Sequence, residues 1–298
     1  MKNKRRQTPQ HISPKFEPNT QNNRSNGMIM LFISMALFVT LFFFGYHYYM
    51  GIEKSYSYSI EEINWIEKAD RLSKNQPTTF LVVGLSFPDG GRIESQQATS
   101  WNLITLNPKT GQGLLSQVNA HLEIDNKPLY QWNPRHQTDL LLNKLEIILD
   151  QNIDHLTVIY LSETKSLIDL FPNITITPQA DYSYNDLHLQ KNQNTLLSGR
   201  LALQYMLNQG EETVSERNQR VNEVLLGIWN EVYGLNNLPH WKTYFDEASQ
   251  IVYSSLSWQD YLRLNFGSYQ KAIKNLTILE VDKDNLEELR TKVKEIIN

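Results

Sequence analysis

The sequence predicts an α/β layered domain with helices on both faces of a sheet, carried behind one membrane-spanning helix. Three observations predict it. Apolar runs of strand length alternate with amphipathic runs from residue 78 onward, the order that gives a helix-flanked sheet. Met28–Tyr46 is a 19-residue stretch without a charge. At ~1.5 Å per residue it nearly spans a hydrocarbon core of ~30 Å. The chain has 298 residues, 40% hydrophobic and 20% charged, which excludes wholesale disorder and leaves room for one large domain or two ordinary ones.

The charge is unevenly spread. Residues 1–27 carry six basic side chains against Glu17 alone, whereas the chain after residue 50 holds 22 basic and 31 acidic residues. A basic flank before an apolar run predicts the N-terminus inside and the bulk of the chain outside. His47, Tyr48 and Tyr49 supply the amphipathic belt of an interface. A cleaved signal peptide needs a shorter apolar core and a small-residue cleavage site, and YHYYMGIEK offers neither. The expected organisation is therefore a basic cytoplasmic tail over 1–27, a span over 28–50, a juxtamembrane segment over 51–77 and an extracellular domain over 78–298. Ile60, Ile63, Trp65 and Ile66 predict a short helix in the juxtamembrane segment.

Element by element, Thr79–Val83 closed by Gly84 reads as a buried strand. Trp101–Leu106 and Leu114–Val118, joined by NPKTGQG, read as a hairpin. Leu141, Leu145, Ile148 and Leu149 share one face of a helix beginning near Thr138. Strands follow at His155–Leu161 and Ile174–Thr177. Helices are expected at Leu196–Asn208, Arg220–Tyr233, Trp258–Leu264 and Asn285–Ile297, with a strand at Leu276–Val281.

Several chemistries are excluded. Cysteine is absent, which removes disulfides, thiolate metal sites and a cysteine nucleophile. The seven histidines never fall within four residues of one another, so no helical zinc pair exists. Walker and dinucleotide-binding glycine motifs are missing. Gly84-Leu85-Ser86-Phe87-Pro88 follows a strand as a nucleophile elbow does, but Pro88 stands where that elbow needs glycine. Asn173-Ile-Thr and Asn275-Leu-Thr match the glycosylation pattern, which matters only in a glycosylating host. A nucleic-acid partner is not expected, because the domain is acidic and shows no DNA-binding helix pair.

The chain resembles the LytR-CpsA-Psr family of Gram-positive cell-envelope proteins, over about residues 78–280. Phe80-Leu-Val-Val-Gly-Leu-Ser86 resembles the family's opening strand ending in Gly-x-Asp-x-Arg. Trp101–Pro108 with Leu114-Leu-Ser116 resembles its second strand, Asn-Pro turn and third strand. Asn152–Leu156 is similar to the segment before the next strand. Leu197-Ser-Gly-Arg-Leu-Ala-Leu-Gln-Tyr205 resembles its Leu-x-Gly-x-x-Ala-Leu-x-Tyr motif, Arg217 and Arg220 its Arg-x-x-Arg-Gln, and Ser254–Ser257 its Thr-Asn-Leu-Ser segment.

The resemblance implies a mixed central sheet, a three-layer α/β/α domain with an apolar lipid pocket, and transfer of glycopolymers from a polyprenyl pyrophosphate to peptidoglycan. That chemistry needs Asp to hold Mg²⁺ and Arg to clamp the pyrophosphate. Here Ser86 and Pro88 stand at the Asp and Arg of the opening motif, and Thr99 (or Ser100) at the Asp before the second strand. Asn119-Ala120 replaces the next Arg-Asp, Leu207-Asn208-Gln209 an Arg-x-Arg, and Val221 the closing Gln. Arg217 and Arg220 remain as phosphate-binding candidates, with no catalytic residue and no cofactor expected. The resulting expectation is a catalytically impaired binder of polyprenyl-linked glycopolymer at the cell membrane, partnered with active relatives or peptidoglycan. Two alternatives stand beside it. One is a phosphotransferase with a rearranged site that uses Asp89, Arg92 and Glu94 of the loop from Gly84 to Thr99, or Glu123 and Asp125 beside the later strand, with Mg²⁺ only in that case. The other is an anchored protein-binding module.

Overall fold

A computed structural model describes residues 20–59, 70–86, 97–135, 137–208, 214–233 and 235–298. The helix expected from Ile60 to Ile66 and the Asp89–Glu94 loop lie outside those residues, as does the first part of the basic tail. The chain divides into two units, Met1–Met50 and Gly51–Asn298. Helix α1 runs Thr20–Ser59, so the apolar run is helical. The described side chains between Met35 and Tyr46, among them Phe38, Phe42 and Phe44, are exposed. Side chains from Met28 to Ser34 lie outside the described residues, and among those described no helix is long and apolar enough to cross a membrane.

The second unit opens with strands β1 (Thr78–Ser86), β2 (Gln97–Asn107) and β3 (Gln112–Val118) and the short pair β4 (Glu123–Ile124) and β5 (Lys127–Pro128). Helix α2 (Thr138–Leu149), strand β6 (His155–Tyr160) and helix α3 (Lys165–Asp169) follow. Next come β7 (Ile174–Ile176), β8 (Tyr182–Tyr184), β9 (Leu187–Leu189) and β10 (Thr195–Leu197). Helices α4 (Gly199–Leu207), α5 (Val214–Tyr233) and α6 (Trp241–Ala248) lead to β11 (Val252–Ser254). The chain ends with α7 (Trp258–Phe266), α8 (Gln270–Lys274), β12 (Leu276–Val281) and α9 (Leu286–Ile297).

Six strands form one sheet in the order β11-β6-β1-β2-β3-β12. It is mixed, as the resemblance implies: β1, β2 and β3 pair antiparallel in sequence, while β6 joins β1 and β12 joins β3 in parallel. The predicted hairpin is present as β2 and β3, with Trp101 opposite Val118 and Leu106 opposite Gly113. Asn107 makes its turn. Its Oδ1 accepts from the Lys109 and Thr110 amides, Gly111 takes φ +70°, and its own Nδ2 donates to the Ile296 carbonyl.

Alternation along each strand decides what covers each face. Leu81, Val83, Trp101, Leu103, Leu114 and Val118 point one way and bury against Leu141 and Leu145 of α2 and Leu289, Val293 and Ile296 of α9. On the opposite face Phe80, Ile104 and Leu106 meet Leu264 of α7 and Tyr269 and Ala272 near α8. Helix α5 lies over the rest of that second face, above β2 and β3. Helices thus cover both faces.

A separate cluster gathers α3 to α7, and the end of α1 reaches into it. Ile52 and Tyr56 are 3% and 4% exposed. The Tyr56 ring touches Phe245, Trp258 and Tyr261, and its hydroxyl donates to the Leu256 carbonyl at 3.2 Å. The compact unit therefore begins before Thr78. Ser254–Ser257 is spent on structure: Ser254 bonds Thr157, Ser255 accepts from Leu156, and Ser257 caps α7 in a reciprocal box with Asp260. In the Leu197–Tyr205 motif, Gly199 is required by packing, since a Cβ there would stand 2.7 Å from the Ile168 carbonyl.

Candidate functional site

The candidate site lies on the second face of the sheet, where α5 covers β2 and β3 and the end of β1 runs beside them. Pairing between β1 and β2 shifts at its end: Gly84 opposes Ser100 but Leu85 opposes Ala98, leaving Thr99 as one extra residue. Such a bulge re-aims a side chain. It turns Thr99 toward β1, and its Oγ1 lies 3.0 Å from Ser86 Oγ. The two positions that the sequence pairs with aspartates of the family are thus neighbours in space, and both carry neutral hydroxyls bonded to each other.

Further along this face the sheet is joined to α5 by a buried amide pair. Asn102 and Asn222 exchange two hydrogen bonds of 2.8 Å, each Nδ2 donating to the other's Oδ1. Both are over nine-tenths buried. Two clefts flank the pair. One, of about 190 Å³, lies between α5, β7 and the β3–β12 edge, floored by Leu115, Leu226 and Ile278 and rimmed by Gln117, Gln219 and Glu223. The other, of about 130 Å³, sits at the ends of β3 and β12 beneath Asn218. Ligand pockets are commonly ~300–1,000 Å³. Neither cleft is the roomy apolar pocket that the resemblance implies.

The two candidate cations differ in setting. Arg217 lies half-buried on α5. Arg220 is 5% exposed, and its donors are committed to the chain: Nε to the Tyr205 carbonyl and Nη2 to that of Asn208, each at 2.7 Å. Its guanidinium also faces the rings of Tyr182 and Tyr205. A buried fork that closes the C-terminal end of α4 is a structural device, so Arg220 does not stand ready as a phosphate ligand.

Beside Arg220 sits a carboxylate that sequence reasoning passed over. Glu223 accepts from the Tyr205 hydroxyl at 2.6 Å and from the Gln179 amide at 2.9 Å. Burial pushes its carboxyl above the ordinary glutamate value, against the opposing effect of those hydrogen bonds. Burial, with the neighbouring Glu223, raises the Tyr205 hydroxyl too. The raised Glu223 value means that the folded chain binds more protons than the unfolded chain between the two carboxyl values. Its contribution to stability therefore falls as pH rises through that window. Urea midpoints across about pH 4–7 should show this fall in the natural chain and a flatter profile in Glu223→Gln.

A family model described as LytR_cpsA_psr matches residues 126–295, more than half of the chain. The chain belongs to that family. The polyisoprenyl-teichoic acid–peptidoglycan teichoic acid transferase TagU of Enterococcus faecalis is 22% identical to it over 243 residues, 78% of this chain and 79% of the relative. The crystal structure of Bacillus subtilis TagU superposes with a TM-score of 0.57 at 17% identity, covering 75% of this chain and 97% of that one. A structure of TagT bound to LIIa-WTA superposes at 0.59 with 15% identity, over 79% and 96% of the two chains. These likenesses show the fold.

For a LytR-CpsA-Psr protein, the donor set at Ser86 and Thr99 does not fit Mg²⁺. That ion is held through carboxylates and phosphates, whereas these two hydroxyls are neutral and engaged with each other. Of the replacement carboxylates, Glu123 is exposed in the β4–β5 hairpin and Asp125 pairs with Lys144 across its turn. Asp89 and Glu94 lie outside the described residues. Among the described residues no three acidic or histidine side chains converge as a metal cluster. The remaining family positions are equally altered: Asn119 Oδ1 is spent on the His121 amide, and Asn208 Nδ2 on the Tyr182 hydroxyl.

Proposed function

We propose that this chain is a single-pass envelope protein that takes part in attaching glycopolymers to the cell wall, or in regulating that attachment, by binding polyprenyl-linked polymer without transferring it. The observation that carries the reading is the Ser86–Thr99 hydroxyl pair, which sits where phosphoryl transfer would need charge-bearing metal ligands. The family's named relatives act on teichoic acid and peptidoglycan, and those are the polymer classes proposed here. The uncharged run Met28–Tyr46 with its basic flank supports an anchor with residues 78–298 outside the cell. Arg217 is the proposed anion contact. Because the clefts beside α5 are small, a polyprenyl chain would lie along the groove or lift α5 from the sheet.

Calorimetry of the full-length chain in nanodiscs with a polyprenyl pyrophosphate, with and without Mg²⁺, tests the reading. Binding in the micromolar range that ignores Mg²⁺ and weakens in Arg217→Ala is the expected result. Binding that requires Mg²⁺ would return catalysis to the chain and direct attention to Asp89 and Glu94. Absence of binding in both conditions would sink the lipid-carrier reading in favour of a protein-binding module.

A further inference from the structure

The smaller cleft has a chemistry of its own. It lies at the C-terminal ends of the parallel strands β3 and β12, the end at which open α/β sheets take ligands. Gln117 and Glu280 are register partners on those strands and share its floor. Asn119 and Asp282 follow them at the rim, and Asn218 of α5 lies above. Gln117 is 7% exposed and Asn218 4%, yet neither side-chain amide makes a hydrogen bond among the described residues, and the Asn218 Oδ1 is wholly buried. Buried amides are nearly always paired, so two uncommitted ones in the same cleft point to a ligand.

The character of that ligand follows from charge and acceptor count. No described residue of the lining is basic, and the Glu280 carboxylate has no partner among the described residues. Asp282 is already engaged, its Oδ1 accepting from the Asp284 and Asn285 amides. One uncommitted carboxylate is too few for a divalent ion, which draws on several hard anionic oxygens. Because neither amide has a partner, each can turn its oxygen inward. Glu280, Gln117 and Asn218 then offer three acceptors, the number of donors on a primary ammonium. We propose that this cleft binds a primary ammonium group on a small molecule or polymer, at a place where the family resemblance implies an anion clamp. The proposal does not depend on lipid-carrier binding.

The test is calorimetry of n-propylammonium on the full-length protein in nanodiscs at low salt. Tetramethylammonium serves as a cation of equal charge without N–H donors, and Glu280→Gln as the variant. Glu280 is exposed on an edge strand, so this variant should fold, as circular dichroism will verify. Propylammonium is expected to bind and to lose about fivefold in affinity in Glu280→Gln, the upper end of what an exposed ion pair supplies. It should also weaken with added salt, while tetramethylammonium should not bind. Glucosamine and lysine amide then distinguish an amino-sugar source from an amino-acyl one. No propylammonium binding, unchanged affinity in Glu280→Gln, equal binding of tetramethylammonium, or displacement of propylammonium by Ca²⁺ or Mg²⁺ would overturn the assignment.

Discussion

Arg220→Ala is expected to destabilise the second unit by about 3 kcal/mol, because a buried charged donor supporting two carbonyls is removed at once. The Tyr205 and Asn208 carbonyls would lose the donor held at 2.7 Å, and the rings of Tyr182 and Tyr205 would lose the guanidinium beside them. Arg220→Lys should recover only part of the loss, since an ammonium cannot reproduce the planar fork. Urea denaturation followed by tryptophan fluorescence measures both. A pyrophosphate titration on the folded fraction separates the roles: unaltered affinity is expected in Arg220→Lys. A variant of full stability that binds pyrophosphate poorly would restore Arg220 to the ligand site.

Restoring the carboxylates is expected to have the opposite signature. In a Ser86→Asp, Thr99→Asp double variant, two carboxylates would replace hydroxyls now 3.0 Å apart. Like charges at that distance disfavour joint ionisation, and the variant should lose about 2–3 kcal/mol at neutral pH in the absence of metal. Mg²⁺ should return much of that stability, raising the melting temperature with concentration as mass action requires. The natural chain should show no such dependence. A Mg²⁺-dependent melting temperature in the natural chain would contradict the retired-site reading.

The parts of the fold legible in the sequence were those with a clean period. Helix α2 begins at Thr138, and β12 spans Leu276–Val281, as their apolar spacing predicts. The hairpin follows from Asn107 and Gly111. Helix α5 starts at Val214 rather than Arg220, because its first turn is polar and carries no apolar stripe to announce it. The bulge at Thr99 was hidden, since one extra residue leaves the alternation on either side intact. That is why the sequence could not choose between Thr99 and Ser100.

Side-chain roles were less legible than elements. Arg220 looks like a ligand in the motif, and only the folded α4 terminus reveals the carbonyls that occupy it. Asn102 and Asn222 are 120 positions apart, so nothing local marks them as partners. Glu223 follows a motif arginine by three residues and looks like a surface charge of α5 until Tyr205 is folded over it. The hairpin of β8 and β9, with Asn185 at φ 50°, has strands of only three residues each, too short for alternation to register.

The insertion of Ile52 and Tyr56 into the aromatic cluster has a mechanical consequence. Tension applied to the second unit at Gly51 is taken up by the helical turn that plugs this cluster. The load falls first on the Tyr56 ring contacts and its bond to the Leu256 carbonyl. The domain would therefore yield by extraction of that aromatic plug while the six-stranded sheet, loaded only afterwards, stayed intact.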